Sequence, residues 1–218
     1  MIVSDIITRI QRKFGDESAV QVTNADIIRW INDGQRRIVL KNDVLLEKTA
    51  TTNSVAGQQE YDLPTDLLIL KFIQYKDSGS TSYLKLRGLT TVEFNEYIDG
   101  WSDGGSVKGV PQVYTIFSGK IIAYPTPTNS VTAGFKIYYN RAPVDVALTS
   151  DTPDLPNLYH DTLVNYCMQQ AYELDEDLES ASGESTKVAE DIDLLRGRED
   201  WKVQETYPVI SVQIEDMD

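Results

Sequence analysis

Two residues that could act as nucleophile and base lie on one predicted helix in the last third of the chain. His160 is the only histidine and Cys167 the only cysteine, and seven residues separate them, so both fall on one helix face. Seven helical residues span about 10 Å, which is too far for the hydrogen bond that a Cys–His pair requires. There is also no further His or Cys to complete a zinc site. We therefore interpret both as packing residues and predict no catalytic residue, metal site or cofactor.

A cluster of carboxylates follows on the same predicted helix and just beyond it. Its members are Glu173, Asp175, Glu176, Asp177 and Glu179. Carboxylates bind hard cations, but this run lacks the alternating ligand spacing and the central glycine of a calcium loop. One interpretation is a solvated acidic helix end.

Basic residues recur along the first two predicted helices at spacings close to whole turns. They are Arg9, Arg12 and Lys13, then Arg29, Arg36, Arg37 and Lys41. They could form polar helix faces, or they could pair with acidic faces of neighbouring subunits.

Tyrosines are frequent in the middle of the chain, at positions 75, 83, 114, 138 and 139. They suit a core or an interface. Base stacking would need interleaved basic residues, which are sparse along this stretch.

The composition excludes several classes of protein. The 218 residues include 34 acidic and 20 basic side chains, for a net charge of −14, which argues against a grip on duplex DNA. A single cysteine allows no intrachain disulfide and indicates a reducing compartment. The first residues, MIVSDIITRIQRKFG, lack the apolar core of a signal peptide, and no run is long enough to span a membrane. No phosphate loop, dinucleotide fingerprint, serine elbow or zinc signature is present, so we predict that the protein is not an enzyme.

Hydrophobic periodicity predicts the elements that position these residues. Helices are expected at 4–14, 25–41, 157–175 and 184–203, with a short one at 90–98. Strands are expected at 45–53, 58–62, 68–76, 82–87, 112–118, 120–124 and 133–140, with a hairpin turn at 118–120. Gly34 in the second helix suggests close packing at that point. Leu-Pro-Thr-Asp, at 63–66, interrupts two strand-like runs and predicts a turn, because proline cannot donate to a central sheet ladder.

The order of elements predicts an α+β protein. We expect a four-helix bundle that is interrupted after its second helix by a β-rich domain, either a sandwich or barrel-like. The expected divisions are 1–43 and 151–204 for the bundle, 44–150 for the inserted domain and 205–218 for an extended C-terminal tail. A lone strand is unstable, so the tail must join a sheet edge or lie in a groove of a neighbour or another protein. Its contact residues would be Tyr207, Val209, Ile210, Val212 and Ile214.

Several phrases of the sequence resemble the head-to-tail adaptor, or connector, proteins of tailed bacteriophages. They are AGQQEYDLPTDLLIL, GVPQVYTI followed by IIAYPTPT, KIYYNRAPVDV, and DTPDLPNLYHDTLVNYCMQQAYELDEDLES. With the helices around them, these phrases cover roughly residues 23 to 200.

The resemblance implies a structural protein of the virion neck, made in the host cytoplasm, that assembles as a homo-oligomeric ring, commonly a dodecamer. Such a ring joins the portal protein to the tail or nozzle protein and leaves a channel through which DNA passes without specific binding. In such a ring, the acidic cluster of Glu173, Asp175, Glu176, Asp177 and Glu179 could face the channel and repel DNA phosphates. No membrane is involved. Two other interpretations stay open: a ligand- or carbohydrate-binding β module on a helical scaffold, and an enzyme whose site is assembled from scattered Asp and Glu residues.

Overall fold

The computed structural model describes residues 1–42, 45–98 and 107–203. The helices are α1 (Val3–Phe14), α2 (Asn24–Lys41), α3 (Thr91–Tyr97), α4 (His160–Leu174) and α5 (Leu178–Val203). A single 3-10 turn at Asn157–Tyr159 leads into α4. None of the helices in the described ranges is long and apolar enough to cross a membrane.

The long helices converge on α4, against which α1, α2 and α5 all pack. One apolar cluster joins the Ile6, Ile7 and Ile10 side chains of α1 to Trp30 of α2 and to Met168 of α4. These isoleucines recur at helical spacing, so the inward face of α1 follows directly from its sequence. The α+β class is confirmed. The contacts show that α1, α2 and α5 each pack on α4, but they do not establish the predicted four-helix bundle.

Local signals placed most helix ends correctly. Gly15 ends α1 with φ of 87°, and the Thr23 hydroxyl accepts the Asp26 N–H at the start of α2. The predicted start of α5 at residue 184 was wrong, because the helix begins at Leu178. Gly183 weakens the local helix signal there, but the Asp177 carboxylate accepts the Ser180 N–H at 3.1 Å and so caps an earlier start.

The β block consists of two four-stranded sheets and a short two-stranded one. The strands are β1 (Glu47–Ser54), β2 (Glu60–Asp62), β3 (Leu67–Tyr75), β4 (Leu84–Lys85), β5 (Arg87–Gly88), β6 (Lys108–Gly109), β7 (Val113–Phe117), β8 (Lys120–Tyr124), β9 (Thr126–Pro127) and β10 (Val131–Arg141). Sheet A has the order β1-β10-β3-β4 and sheet B the order β2-β8-β7-β5, while β6 pairs with β9. Within the described ranges, no sheet closes into a barrel.

Sheets A and B enclose one apolar core. Ile73, Phe135 and Ile137 of sheet A pack with Ile121 and Ala123 of sheet B, and all five are buried. The alternation of these strands therefore buries one face of sheet A and leaves Phe72, Lys136 and Tyr138 on the other.

Two predicted turns are confirmed. Ser118 and Gly119, with φ of 50° and 74°, connect β7 to β8, and positive φ at both positions is the pattern of a tight hairpin turn. At the Pro64 interruption, the Leu67 N–H bonds the Pro64 carbonyl at 3.1 Å, so the chain turns between β2 and β3. The Asp66 carboxylate of this turn accepts the Tyr139 hydroxyl at 2.8 Å and Lys48 Nζ at 2.7 Å, which anchors the turn to sheet A.

Candidate functional site

His160 and Cys167 are both buried. The Met1 amino group donates to His160 Nδ1 at 2.9 Å, and Nε2–H of His160 donates to the Leu155 carbonyl at 3.0 Å. Burial lowers the pKa of His160, which favours the neutral ring. Cys167 lies in the core shared by α1, α2 and α4, and burial raises the pKa of its thiol well above the ordinary value. The burial of both residues agrees with the packing interpretation, which stays a prediction.

The acidic cluster lies at the turn between α4 and α5. Four of its five members, Glu173, Asp175, Glu176 and Glu179, are exposed, while Asp177 is half-buried. Glu173 accepts hydrogen bonds from the Gln169 and Gln170 side chains at 2.7 and 2.9 Å. Hydrogen bonds from the Ser180 side chain and backbone lower the pKa of Asp177. Among the described residues, no group of three or more His, Cys, Asp or Glu side chains is arranged to hold a metal ion.

The predicted tail contacts lie outside the described residues. This applies to Tyr207, Val209, Ile210, Val212 and Ile214, and so their role stays a prediction.

Most basic residues of α1 and α2 find acidic partners within the same chain. Arg9 pairs with Asp161, Lys13 Nζ lies 3.0 Å from Glu184 Oε1, and Arg36 pairs with Asp33 and Asp145. Arg29 pairs with Asp26 one helical turn away, and the Arg37 guanidinium lies 5.6 Å from the Tyr166 ring centroid. These side chains are therefore already engaged, which weakens the idea that they are reserved for neighbouring subunits.

A site that the sequence did not reveal lies on the outer face of sheet A. Phe72 of β3 and Tyr138 of β10 stack with ring centroids 4.4 Å apart and an interplanar angle of 23°. Lys85 Nζ lies 4.9 Å from the Phe72 centroid, and Lys136 Nζ lies 5.0 Å from that of Tyr138. We call this surface, completed by Lys76 and Tyr83, the lysine platform.

Tyr83 joins the platform's lysines into one group. Lys76 Nζ and Lys136 Nζ lie 5.2 and 5.6 Å from the Tyr83 ring centroid, so these two ammonium groups can be no more than about 11 Å apart. Within the described part of the chain, Lys76, Lys85 and Lys136 take no part in the ion pairs. Basic residues were expected to be sparse among the tyrosines. They are sparse in sequence, but strand pairing brings them together.

A groove of ≈ 350 Å³ borders the platform on the same face of sheet A. Glu47, Lys48, Thr49, Lys71, Phe72, Tyr138 and Tyr139 line it. Its two outer rings stack on each other and are approached by lysines, so they offer little free ring face for a sugar to stack on. The groove is partly open to solvent, and its lining combines aromatic side chains with charged and polar ones.

Comparison with known proteins identifies one family that matches nearly the whole chain. The family described as SU10 adaptor protein matches residues 1–209, which include the long helices and the β block together. No curated protein matches the chain. Because the match covers nearly the whole sequence, the chain belongs to the SU10 adaptor protein family, a family of bacteriophage head-to-tail adaptors.

Proposed function

We propose that the protein forms a dodecameric ring that joins the portal protein to the tail or nozzle protein of a phage. The observation that carries this proposal is the family match over residues 1–209. It spans both the helical part and the β block, so the whole chain is expected to act as one adaptor unit. DNA would pass through the central channel of the ring without specific binding.

The helical part is proposed to act as the bundle of the ring. In this arrangement α1, α2, α4 and α5 form a four-helix bundle of residues 1–43 and 151–204, and residues 44–150 form an inserted β domain. Hydrogen bonds from the Val3 and Ser4 N–H groups to the carbonyls of Asp151 and Thr149 support the joining of the first and last helical segments. The division into domains predicts that the two halves of the bundle unfold together.

The acidic cluster is proposed to face the channel. Exposed carboxylates at the turn between α4 and α5 would repel DNA phosphates, so the duplex would stay mobile. The C-terminal tail, residues 205–218, is proposed to contact the portal or a neighbouring subunit through its alternating apolar residues.

The test is attachment to the portal protein of the same phage. We expect the full-length chain to co-purify with the portal as a ring, and we expect an image of the particle neck to show that ring between portal and tail. Deletion of residues 206–218 should leave the melting temperature nearly unchanged and abolish attachment. A matched control keeps the length of the tail and changes Val209, Ile210, Val212 and Ile214 to Ser.

The outcomes separate the ring from its alternative, a ligand- or carbohydrate-binding β module. A protein that remains a monomer beside the portal and binds a sugar in the groove on sheet A would support that module and contradict the adaptor role. If the truncated chain still docks normally, or if the truncation unfolds the chain, the proposed role of the tail is wrong.

A further inference from the structure

The lysine platform is a basic surface on a strongly acidic protein. Lys76, Lys85 and Lys136 have no carboxylate partner among the described ion pairs, although the chain carries a net charge of −14. Their ammonium groups are held over aromatic rings, so the three lysine side chains are already partly ordered before any partner binds. Binding therefore costs them less side-chain conformational entropy. Such a surface is complementary to a partner with exposed carboxylates.

The ring faces of the platform argue against base stacking as its use. Phe72 and Tyr138 stack on each other, and lysines lie over both rings. A surface that binds single-stranded nucleic acid offers free ring faces to successive bases. The platform therefore presents ammonium groups rather than rings, which favours an acidic protein surface.

The outward face of α5 offers such a surface. Gly183, Glu190, Asp193, Leu194 and Gly197 fall within one third of the helix circumference, and all five are exposed. Leu194 is 70% exposed, and neither carboxylate takes part in the described ion pairs. Lys187 lies on the same face, but its Nζ is bonded to Glu184 at 3.0 Å.

The two glycines of this face have no packing partner among the residues that the structure describes. A Cβ built on Gly183 or on Gly197 would meet no atom within 4 Å. Glycine weakens a helix, so an exposed pair in one helix needs a reason. Close approach of another surface to the helix backbone supplies one, as it does for Gly34 on α2, where the neighbouring helix is present.

The dimensions of the two surfaces agree. From Gly183 to Gly197 the helix rises about 21 Å, and the outer strands of the four-stranded sheet A lie about 14 Å apart. The helix face is therefore long enough to cross every strand of the sheet. The inward face of α5, with Val188 and Ile192, is already packed in the helical core, so its acidic face points away from α4.

We propose that α5 of one copy lies across the lysine platform of the next copy, so that Glu190 and Asp193 meet Lys76, Lys85 and Lys136. This contact rests on the proposed ring, in which each subunit must present two different surfaces that fit each other. Leu194 lies against the ring edges and the apolar lysine stems of the platform, and the two glycines allow the helix to approach the sheet closely. The interface is a helix packed on the uncovered face of a sheet.

A disulfide trap tests the contact directly. The chain with Lys85→Cys and Leu194→Cys should form a ladder of covalent multimers on oxidation, whereas neither single variant should do so. Cys167 is buried and stays out of the reaction. A chain with Lys108→Cys and Leu194→Cys is the matched control, because Lys108 is exposed but belongs to the two-stranded sheet and not to sheet A. The proposal is overturned if the chain with Lys85→Cys and Leu194→Cys forms no ladder, or if the Lys108→Cys control forms an equal one. This holds even if the protein without introduced cysteines is a monomer.

A charge swap in the same trapping background supplies the second test. Lys76→Glu with Lys136→Glu, or Glu190→Lys with Asp193→Lys, should each lower the yield of multimers at least fivefold, with the melting temperature used to confirm folding. An equal mixture of the two variants should restore the yield, because each then meets a complementary neighbour on both sides. Failure of the mixture to recover, with both variants folded, contradicts the contact.

Two further readouts separate this contact from other uses of the platform and from the proposed function. Fluorescence anisotropy with a labelled oligothymidine should show no binding that depends on Lys76 and Lys136. If the lysine variant loses such binding while its ladder is unchanged, the platform serves nucleic acid and the proposal is wrong. Portal co-purification is scored separately. If the wild-type chain attaches to the portal but the chain with Lys85→Cys and Leu194→Cys forms no ladder, only this interface is refuted, whereas a wild-type chain that never attaches refutes the adaptor role.

Discussion

Gly34 of α2 lies directly against the ring of Tyr166 of α4. A Cβ at position 34 would come within 2.8 Å of Tyr166 Cδ1 and 3.0 Å of Leu163 Cδ2, both closer than a relaxed contact allows. The absence of a side chain at this one position therefore sets how near α2 can approach the central helix.

This contact predicts that Gly34→Ala destabilises the protein, although alanine is the better helix former. Overpacking costs about 1–3 kcal/mol, and the gain in helix propensity returns about 1 kcal/mol. We expect the free energy of unfolding to fall by up to about 2 kcal/mol, as measured by urea denaturation. Gly183→Ala is the matched control, because nothing surrounds that position. It should stabilise the protein by about 1 kcal/mol or less. Stabilisation by both substitutions would show that α2 can move away from Tyr166.

The ion pair of Arg141 and Asp154 predicts a dependence of stability on acid. The two side chains, 23% and 22% exposed, join the end of β10 to the segment before α4 through paired hydrogen bonds. The Arg141 hydrogen bond is the main reason that the pKa of Asp154 lies below its usual value of 3.8. The unfolded chain therefore binds this proton more readily. The contribution of the pair is complete above about pH 5 and is lost as the pH falls through 3.8 and then through the lowered value.

Asp154→Asn should lower the free energy of unfolding at pH 7 by about 1–3 kcal/mol, because a half-buried guanidinium loses its charged partner. The variant should also lose less stability than wild type as the pH falls, so the curves of stability against pH for the two proteins should converge below pH 4. Asp145→Asn, in a more exposed pair with Arg36, should change little. Parallel curves for wild type and Asp154→Asn across this range would contradict the assignment.

His160 predicts a second, separate dependence on pH. The pKa of His160 lies below the ordinary 6.5, mainly because the ring is buried. The folded protein therefore takes up the proton less readily than the unfolded chain does. Stability from this group is complete above pH 6.5 and is lost as the pH falls from there to the folded pKa. His160→Gln should lower stability at pH 7 and flatten this part of the curve, while assembly stays intact. If the slope of stability against pH between pH 7 and 5 is the same in His160→Gln as in wild type, the imidazole of His160 is not the titrating group.

Cys167 should be inert in the folded protein. It is fully buried and its thiol pKa is raised by burial, so almost no thiolate is available for reaction. Ellman's reagent at pH 8 should leave the native protein unmodified and titrate one thiol in denaturant. Cys167→Ser should cost about 1–3 kcal/mol, because it places a hydroxyl in an apolar cluster, and should leave assembly unchanged. Fast labelling of the native protein would contradict the packing shown by the structure.

Much of the helical part could be predicted from the sequence, because its signals lie within a few residues of each other. The isoleucines of α1, the Thr23 cap of α2 and the turn at Ser118 and Gly119 all act over less than two helical turns. The close packing at Gly34 was likewise indicated, although its partner Tyr166 was not. The start of α5 was missed, since one capping carboxylate outweighed the poor helix propensity of several residues.

Only the tertiary structure decided which distant residues meet. Phe72 stacks on Tyr138 because β10 inserts between β1 and β3, and that strand order depends on burying one face of sheet A against sheet B. Arg9 and Lys13 find their partners on α4 and α5, more than 150 residues away, rather than on another subunit. Helix periodicity is a property of neighbouring residues, whereas a strand takes its partners from whichever pairing hides the most apolar surface in the whole chain. The lysine platform results from that strand pairing, and therefore no single stretch of the sequence predicts it.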